Sequence, residues 1–467
     1  MDIDESAVGK SGGFLRRGWW WLKALPERFI DNVVEFAHKA EKLGKDDPRR
    51  IIHSIKVGLT ISLVSLLYYF RPIYDGFGSS TMWAIITVVV VFEYSVGATL
   101  GKGFNRALAT FLAGSLGLGA HHLATLAGDK GQPAILWFAI FLLASVASFA
   151  RFFPGVKARY DYGVLIFILT FCLVSISGYQ EAEILELAHK RVSTILIGCL
   201  TCVIMSIFIF PVWAGHDFHK LIACNIEKQA DFLQGFGELY FGTKGDADMP
   251  WLHGYKSVLN SKTAEEAMAN FARWEPPHGK FRFGHPWKQY LKIGAMTREC
   301  AYRLEALSNG ITSEMKEPSE FMKIITLSCM EISVESSKAL QEASSAIKKM
   351  TYPFTISTHI MNAKTAADDL HTALETITLE NSNILEDVMP AASVISLLFE
   401  IIECTENIAE SVKELACLAK FKGANLAKSP EKPTRKLLRR GNIRPHHVEN
   451  DSVHALITAY ATSAMVE

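Results

Sequence analysis

The chain has 467 residues, 49% of them hydrophobic and 21% charged, with 48 Lys and Arg set against 48 Asp and Glu. That length admits two or three domains, and the zero net charge, with no basic face in the main body, argues against a nucleic-acid partner. The eight cysteines lie in apolar or helix-like stretches, which argues against a structural disulfide framework, and Cys199-x-x-Cys202 reads as small apolar filler rather than a redox or zinc motif.

Residues 1–17 are polar and carry no cleavable signal pattern, so the first apolar span is expected to act as its own insertion signal. Arg16 to Lys23 mixes cations with three indoles, which suits either the lipid headgroup layer or a solvated tail. Six windows then approach the roughly 20 apolar residues that a crossing helix needs: Ile51–Phe70, Thr81–Leu100, Ala107–Gly128, Ala134–Ala150, Tyr162–Gly178 and Val192–Gly215. An even number puts both termini on one side. Twelve Lys and Arg flank the spans on the terminal side (residues 36–50, Lys102, Arg106, Arg151, Lys157, Arg159, Lys220 and Lys228) against four opposite, so both termini are expected in the cytosol. The third span places small residues at Ala109, Ala113 and Gly117, a stripe that serves packing within one subunit or dimerisation equally well.

From Asp217 onward the pattern becomes helical and charged, with candidate helices Asp217–Phe241, Trp251–Trp274, Pro286–Asn309, Ser313–Met350, Thr355–Glu380 and Glu386–Phe421. The stripe Leu397, Ile401, Ile408, Leu415 predicts a bundle. Pro276, Pro277, Gly279, Gly284 and Pro286 interrupt any helix between Trp274 and Trp287. The expected class is therefore all-α: a cytosolic tail (1–50), a six-helix membrane domain (51–215), a cytosolic helical domain (216–425) and a basic tail (426–467) that is suited to anionic lipid.

Four ionisable residues, Lys56, Glu93, Arg106 and Arg191, fall within or at the edge of the spans, where charge is costly and marks either a polar path or a snorkelling residue. Arg106 and Arg191 are expected to open the third and sixth spans at opposite faces, where helix N-termini add positive potential. An anion crossing between them meets a guanidinium near each mouth, and a guanidinium offers a carboxylate a planar fork of donors. Lys56 and Glu93 lie toward the cytosolic ends of adjacent spans, and a mutual ion pair is their simplest account. The outward connections are acidic, with Asp75, Asp129, Glu181, Glu183 and Glu186. Phosphate-loop, GxSxG and HExxH patterns are absent, so neither an enzyme nor a cofactor is expected.

The stretch WAIITVVVVFEYSVGATLGKGFNR (Trp83 to Arg106) resembles the aluminium-activated malate transporter family of plant anion channels. So do Asp47-Pro48-Arg49-Arg50-Ile51-Ile52-His53, Pro211-Val212-Trp213-Ala214-Gly215 and WEPPHGKFRFGHPWKQY (Trp274 to Tyr290). The resemblance covers roughly residues 46–425. It implies a homodimer passing malate, and inorganic anions such as chloride, nitrate and sulfate, along a path lined by basic residues of both chains, with Arg106 and Arg191 as pore residues. Asp75 and Glu186 would stand as outer-face ligands for aluminium, although Ala182 stands where aluminium-sensitive members can carry an acid. The resemblance leaves open the plasma or the vacuolar membrane. A proton-coupled organic-acid efflux carrier using Glu93 and Lys56 is the competing reading, and a non-transporting scaffold is a third.

Overall fold

A computed structural model describes residues 30–69, 81–177, 184–240, 251–313, 320–380 and 385–423. The helices are α1 (30–46), α2 (Arg49–Tyr69), α3 (Thr81–Val91), α4 (Val96–Thr125), α5 (Gly128–Ala150), α6 (Pro154–Ser177) and α7 (Ile184–Phe208). They are followed by α8 (Ala214–Tyr240), α9 (Trp251–Gly254), α10 (Lys256–Leu259), α11 (Lys262–Ala272), α12 (Trp287–Ser313), α13 (Glu320–Lys349), α14 (Thr355–Glu380) and α15 (Leu385–Leu418). Among the described residues there is no strand, only the isolated bridges His278–Phe281 and Thr351–Lys422, so the all-α expectation holds. Asp75, the Arg16–Lys23 segment and the basic tail lie outside the described residues.

Four helical stretches among the described residues are long and apolar enough to cross a membrane: Val96–Thr125, Lys130–Ala150, Pro154–Ile176 and Arg191–Phe208, with Met82–Val91 a shorter apolar helix. The first expected span falls on α2. The second is not continuous, because α3 stops at Val91 and α4 starts at Val96. The reason is local: Ser95 is extended (φ −104°, ψ 152°) and its hydroxyl accepts the Ala98 N–H at 3.3 Å, an N-cap buried inside an apolar run. Thr99 Oγ1 closes the turn by accepting from Glu93 N at 3.1 Å and donating to Glu93 O at 3.2 Å. Averaged hydropathy passes over such a cap. With 30 residues, α4 is about 45 Å long, well over the ~30 Å of a hydrocarbon core.

Within the apolar half, α2, α3 and α7 share a core of Val64, Ala84, Val88, Val91, Ile195 and Cys202. Gly198 permits the α3–α7 approach, since a Cβ there would stand 2.8 Å from the Ala84 carbonyl oxygen. Ala109, Ala113 and Gly117 are buried within the subunit, and a Cβ at Gly117 would meet Val174 at 2.8 Å, so this stripe packs α4 onto α6. On α5, Trp137 (69% exposed), Phe138, Phe141 and Phe149 face outward. In water such a surface would be untenable, whereas in lipid it is ordinary.

In the second half α8 packs along α13, and Ser333, Ser337 and Ser344 donate to the carbonyls of Leu233, Ala230 and Ala223 at 2.6, 2.7 and 2.8 Å, an antiparallel ladder of buried hydroxyls. Ile401, Ile408 and Leu415 are fully buried as the stripe predicted, and Leu397 is partly so. The expected helix Trp251–Trp274 is instead the three pieces α9 to α11. The breaks fall beside Gly254 and at Asn260-Ser261, where Asn260 leaves helical geometry at φ −99°, ψ 9°.

Candidate functional site

Arg106 lies ten residues into α4 rather than at its start, and Arg191 lies seven residues into α7. The helix-dipole contribution expected at both positions is therefore absent, since that field fades within the first turn. Arg106 is only 3% exposed. Its Nη1 donates to Tyr162 Oη of α6 at 3.1 Å, and its Nε has no hydrogen-bond partner among the described residues. One turn earlier Lys102 stands over the face of the same Tyr162 ring, 5.6 Å from its centroid. Asn105 Nδ2 ties the two helices by donating to the Arg159 carbonyl at 3.0 Å. Two cations thus converge on one phenol. Tyr162 was not visible as a functional residue in the sequence, because nothing in its own span marks the α4 residues it meets.

The expected Lys56–Glu93 ion pair does not form. Glu93, in the break between α3 and α4, pairs with Lys102, and Lys56, 2% exposed, donates to the Phe210 carbonyl at 3.2 Å. Phe210 follows the end of α7 with φ 43°, a left-handed turn beyond the last orphan carbonyls, so the ammonium sits at the negative end of that helix. Arg191 is half-buried and stacks on Trp83 of α3, its guanidinium carbon 4.9 Å from the ring centroid. The two arginines are held by aromatic rings of different helices. Glu186 lies in α7, but its side chain is outside the described residues. Among the described residues no group of three or more His, Cys, Asp or Glu is placed to hold a metal.

A carboxylate that sequence reading missed lies where the apolar helices meet the helical domain. Glu275, 9% exposed, accepts the backbone N–H groups of Ala214 at 2.6 Å and Gly215 at 3.0 Å, and also that of Gly97. These donors open α8 and α4, so one side chain caps two helices at once. Space for it comes from glycines: a Cβ at Gly97 would fall 2.2 Å from the Phe271 carbonyl oxygen, and one at Gly215 would fall 2.7 Å from Trp287. Burial pushes the Glu275 carboxyl up to about 7, the three N–H donors pull it down, and the charge of Asp217 pushes it further up. The ring of His278 stacks on Trp213 beside it, centroids 3.8 Å apart. The clue in the sequence was a lone acid in a proline-rich loop facing two Gly-containing motifs, Val96-Gly97 and Ala214-Gly215.

Behind this junction His219 Nδ1 and His285 Nε2 lie 2.8 and 3.3 Å from Tyr290 Oη. Burial holds both imidazoles down to about 4. An unfolded chain binds these protons near pH 6.5, so the stability the two neutral rings contribute is complete above that pH and is lost as pH falls toward 4. Glu275 acts in the opposite sense over pH 7 to 4.5. A melting series on the purified protein against a His219→Phe variant isolates the effect: the wild-type protein is expected to lose, through His219, on the order of 3 kcal/mol between pH 7 and 4. A variant with the same slope would remove His219 from the account.

A membrane protein whose described residues are helical, with buried basic side chains among its apolar helices and a buried carboxylate joining them to a helical domain, is the class that this fold and site define. The chain belongs to the aluminium-activated malate transporter family, whose family model, "Aluminium activated malate transporter", matches residues 41–384. It is 48% identical over 450 residues to aluminum-activated malate transporter 2 of Arabidopsis thaliana, covering 94% of this chain and 88% of that one. It is 48% identical over 431 residues to transporter 7 of the same plant, 84% of each chain. Against aluminum-activated malate transporter 1 of Triticum aestivum the identity is 45% over 439 residues, 90% of this chain and 94% of the relative.

Proposed function

We propose that the protein is a plant anion channel that passes malate, and inorganic anions such as chloride, nitrate and sulfate, as a homodimer with Arg106 and Arg191 along the path. One observation carries the reading: the Arg106 guanidinium is buried among apolar helices, has no carboxylate partner among the described residues, and leaves Nε without a hydrogen-bond partner there. A buried charge without a counter-charge costs several kcal/mol, a cost that a passing anion offsets. Lys102 adds a second cation on the same face of α4, restrained by Glu93. The spans are read with both termini in the cytosol, in the plasma or vacuolar membrane, and with lipid against the exposed apolar faces. Residues 216–425 serve assembly and gating beneath them. A proton-coupled carrier loses its main support, because Lys56 and Glu93 each have other partners.

Voltage clamp with malate, chloride and nitrate exchanged on each side tests this. Current is expected to reverse near the equilibrium potential of the permeant anion and to shift by close to 58 mV, about the Nernst value, for a tenfold change in a monovalent anion. Transport that follows the proton gradient at fixed voltage would sink the channel reading, and purified protein that is silent in liposomes would leave only a scaffold. Subunit number follows from crosslinking in the membrane, where a monomer would overturn the dimer.

A further inference from the structure

Of the eight cysteines, two meet across helices. Cys300 on α12 is fully buried, and Cys404 on α15 is half-buried and faces it across the helix pair. Their register is pinned on both sides. One turn away Arg303 Nε pairs with Glu400 at 3.2 Å. In the other direction Met296 Sδ accepts from Ser411 Oγ at 3.0 Å, Gln289 Nε2 donates to Ser411 O at 3.0 Å, and Lys292 pairs with Glu414 at 2.8 Å. The two helices run antiparallel with the thiols at the centre of this clamp. The neighbouring Cys300 thiol holds the Cys404 thiol below its ordinary range, burial opposes this, and the Arg303 guanidinium adds to the lowering.

We infer that Cys404 and Cys300 form a peroxide-sensitive dithiol pair, in which Cys404 is oxidised first and Cys300 resolves it to a disulfide joining α12 to α15. Several features converge on this. Thiolate character and access decide which cysteine reacts, and Cys404 has a cationic neighbour in Arg303, a facing thiol in Cys300 and partial exposure. Cys300 has no exposure, so of the two it is Cys404 that meets an oxidant from solvent. The register sets the two residues opposite one another, and a disulfide between them takes an S–S length of about 2.05 Å.

The chemistry balances with hydrogen peroxide as oxidant. The Cys404 thiolate attacks one peroxide oxygen, an S–O bond forms as the O–O bond breaks, and hydroxide leaves to take up the proton the thiol released. The Cys300 sulfur then attacks the sulfenic sulfur. The S–S bond forms as the S–O bond breaks, and the departing hydroxide takes the Cys300 proton. Two thiols lose two electrons, and one peroxide becomes two waters. The inference stands apart from the transport reading, since it concerns covalent chemistry within the helical domain.

The test uses the full-length purified protein, treated with graded hydrogen peroxide, quenched by alkylation in denaturant and mapped by mass spectrometry without reductant. A crosslinked Cys300–Cys404 peptide is expected, reversed by dithiothreitol, at peroxide concentrations about 10-fold lower than those that oxidise the exposed Cys417. In a Cys300→Ser variant Cys404 is expected to accumulate as sulfenic acid trapped by dimedone, and in Cys404→Ser Cys300 stays reduced. Alkylation of both residues as free thiols after treatment, or oxidation of Cys417 ahead of Cys404, would overturn the proposal. The wild-type protein alone decides this, whatever the variants' folding.

Discussion

Arg106→Glu is expected to abolish anion current while leaving the protein folded and in the membrane. Two unit charges 5 Å apart interact by about 3 kcal/mol at an effective dielectric of 20, which is a factor of more than 100 in site occupancy. Neutralisation alone, as Arg106→Gln, removes that attraction and is expected to lower malate conductance at least ~10-fold. The acid adds repulsion of similar size. Tyr162→Phe provides the control: it frees Nη1 from its phenol but keeps the charge and the ring packing, so conductance is expected to change by less than about threefold. Arg191 is half-buried against Trp83, where solvent and the ring already compensate its charge, and its neutralisation is expected to cost less than that of Arg106. Voltage clamp with malate as the sole permeant anion measures all four. Wild-type conductance and selectivity in Arg106→Glu would take this residue out of the path.

Glu275→Ala is expected to uncouple the two halves of the molecule. The substitution leaves the N–H groups of Gly97, Ala214 and Gly215 without their acceptor in a buried junction, at about 1–3 kcal/mol for each buried orphan. A loss of several kcal/mol would show as a lower melting temperature and weak expression. Glu275→Gln is the more informative change, because it keeps one acceptor oxygen and mimics the protonated acid. With the carboxyl held near pH 7, acidifying the domain side from pH 8 to 6 protonates it, which relieves the burial cost of its charge and changes its hydrogen bonds to the two helix starts. The wild-type current is expected to change across that range, and the current of the Gln variant is expected to stay flat. A Gln variant that keeps the wild-type pH response would show that Glu275 does not report pH.

Lys56 and Glu93 have opposite signs and neighbouring spans, yet each found a nearer partner, a helix-end carbonyl for one and Lys102 for the other. Charge and position along the chain do not say which pairs close in space. The helix break at residues 92–95 was in principle legible, since Ser95 is an N-cap residue type, but a 20-residue apolar window buries that signal. Cys300 and Cys404 could not be matched from sequence at all, because their contact depends on the register of two helices more than 100 positions apart.

The sequence by itself determined that this is an all-helical membrane protein, that its apolar and charged halves change over near residue 215, and that its motifs belong to one transporter family. Hydrophobic run length and helical period are local properties, and the membrane and the bundle core read them directly. Only the tertiary structure decided where the buried charges find partners, that Tyr162 sits between Lys102 and Arg106, and that Glu275 closes the starts of two helices. Those are long-range contacts, set by how helices approach one another at Gly97, Gly198 and Gly215, and a buried charge takes whichever partner that packing brings within reach.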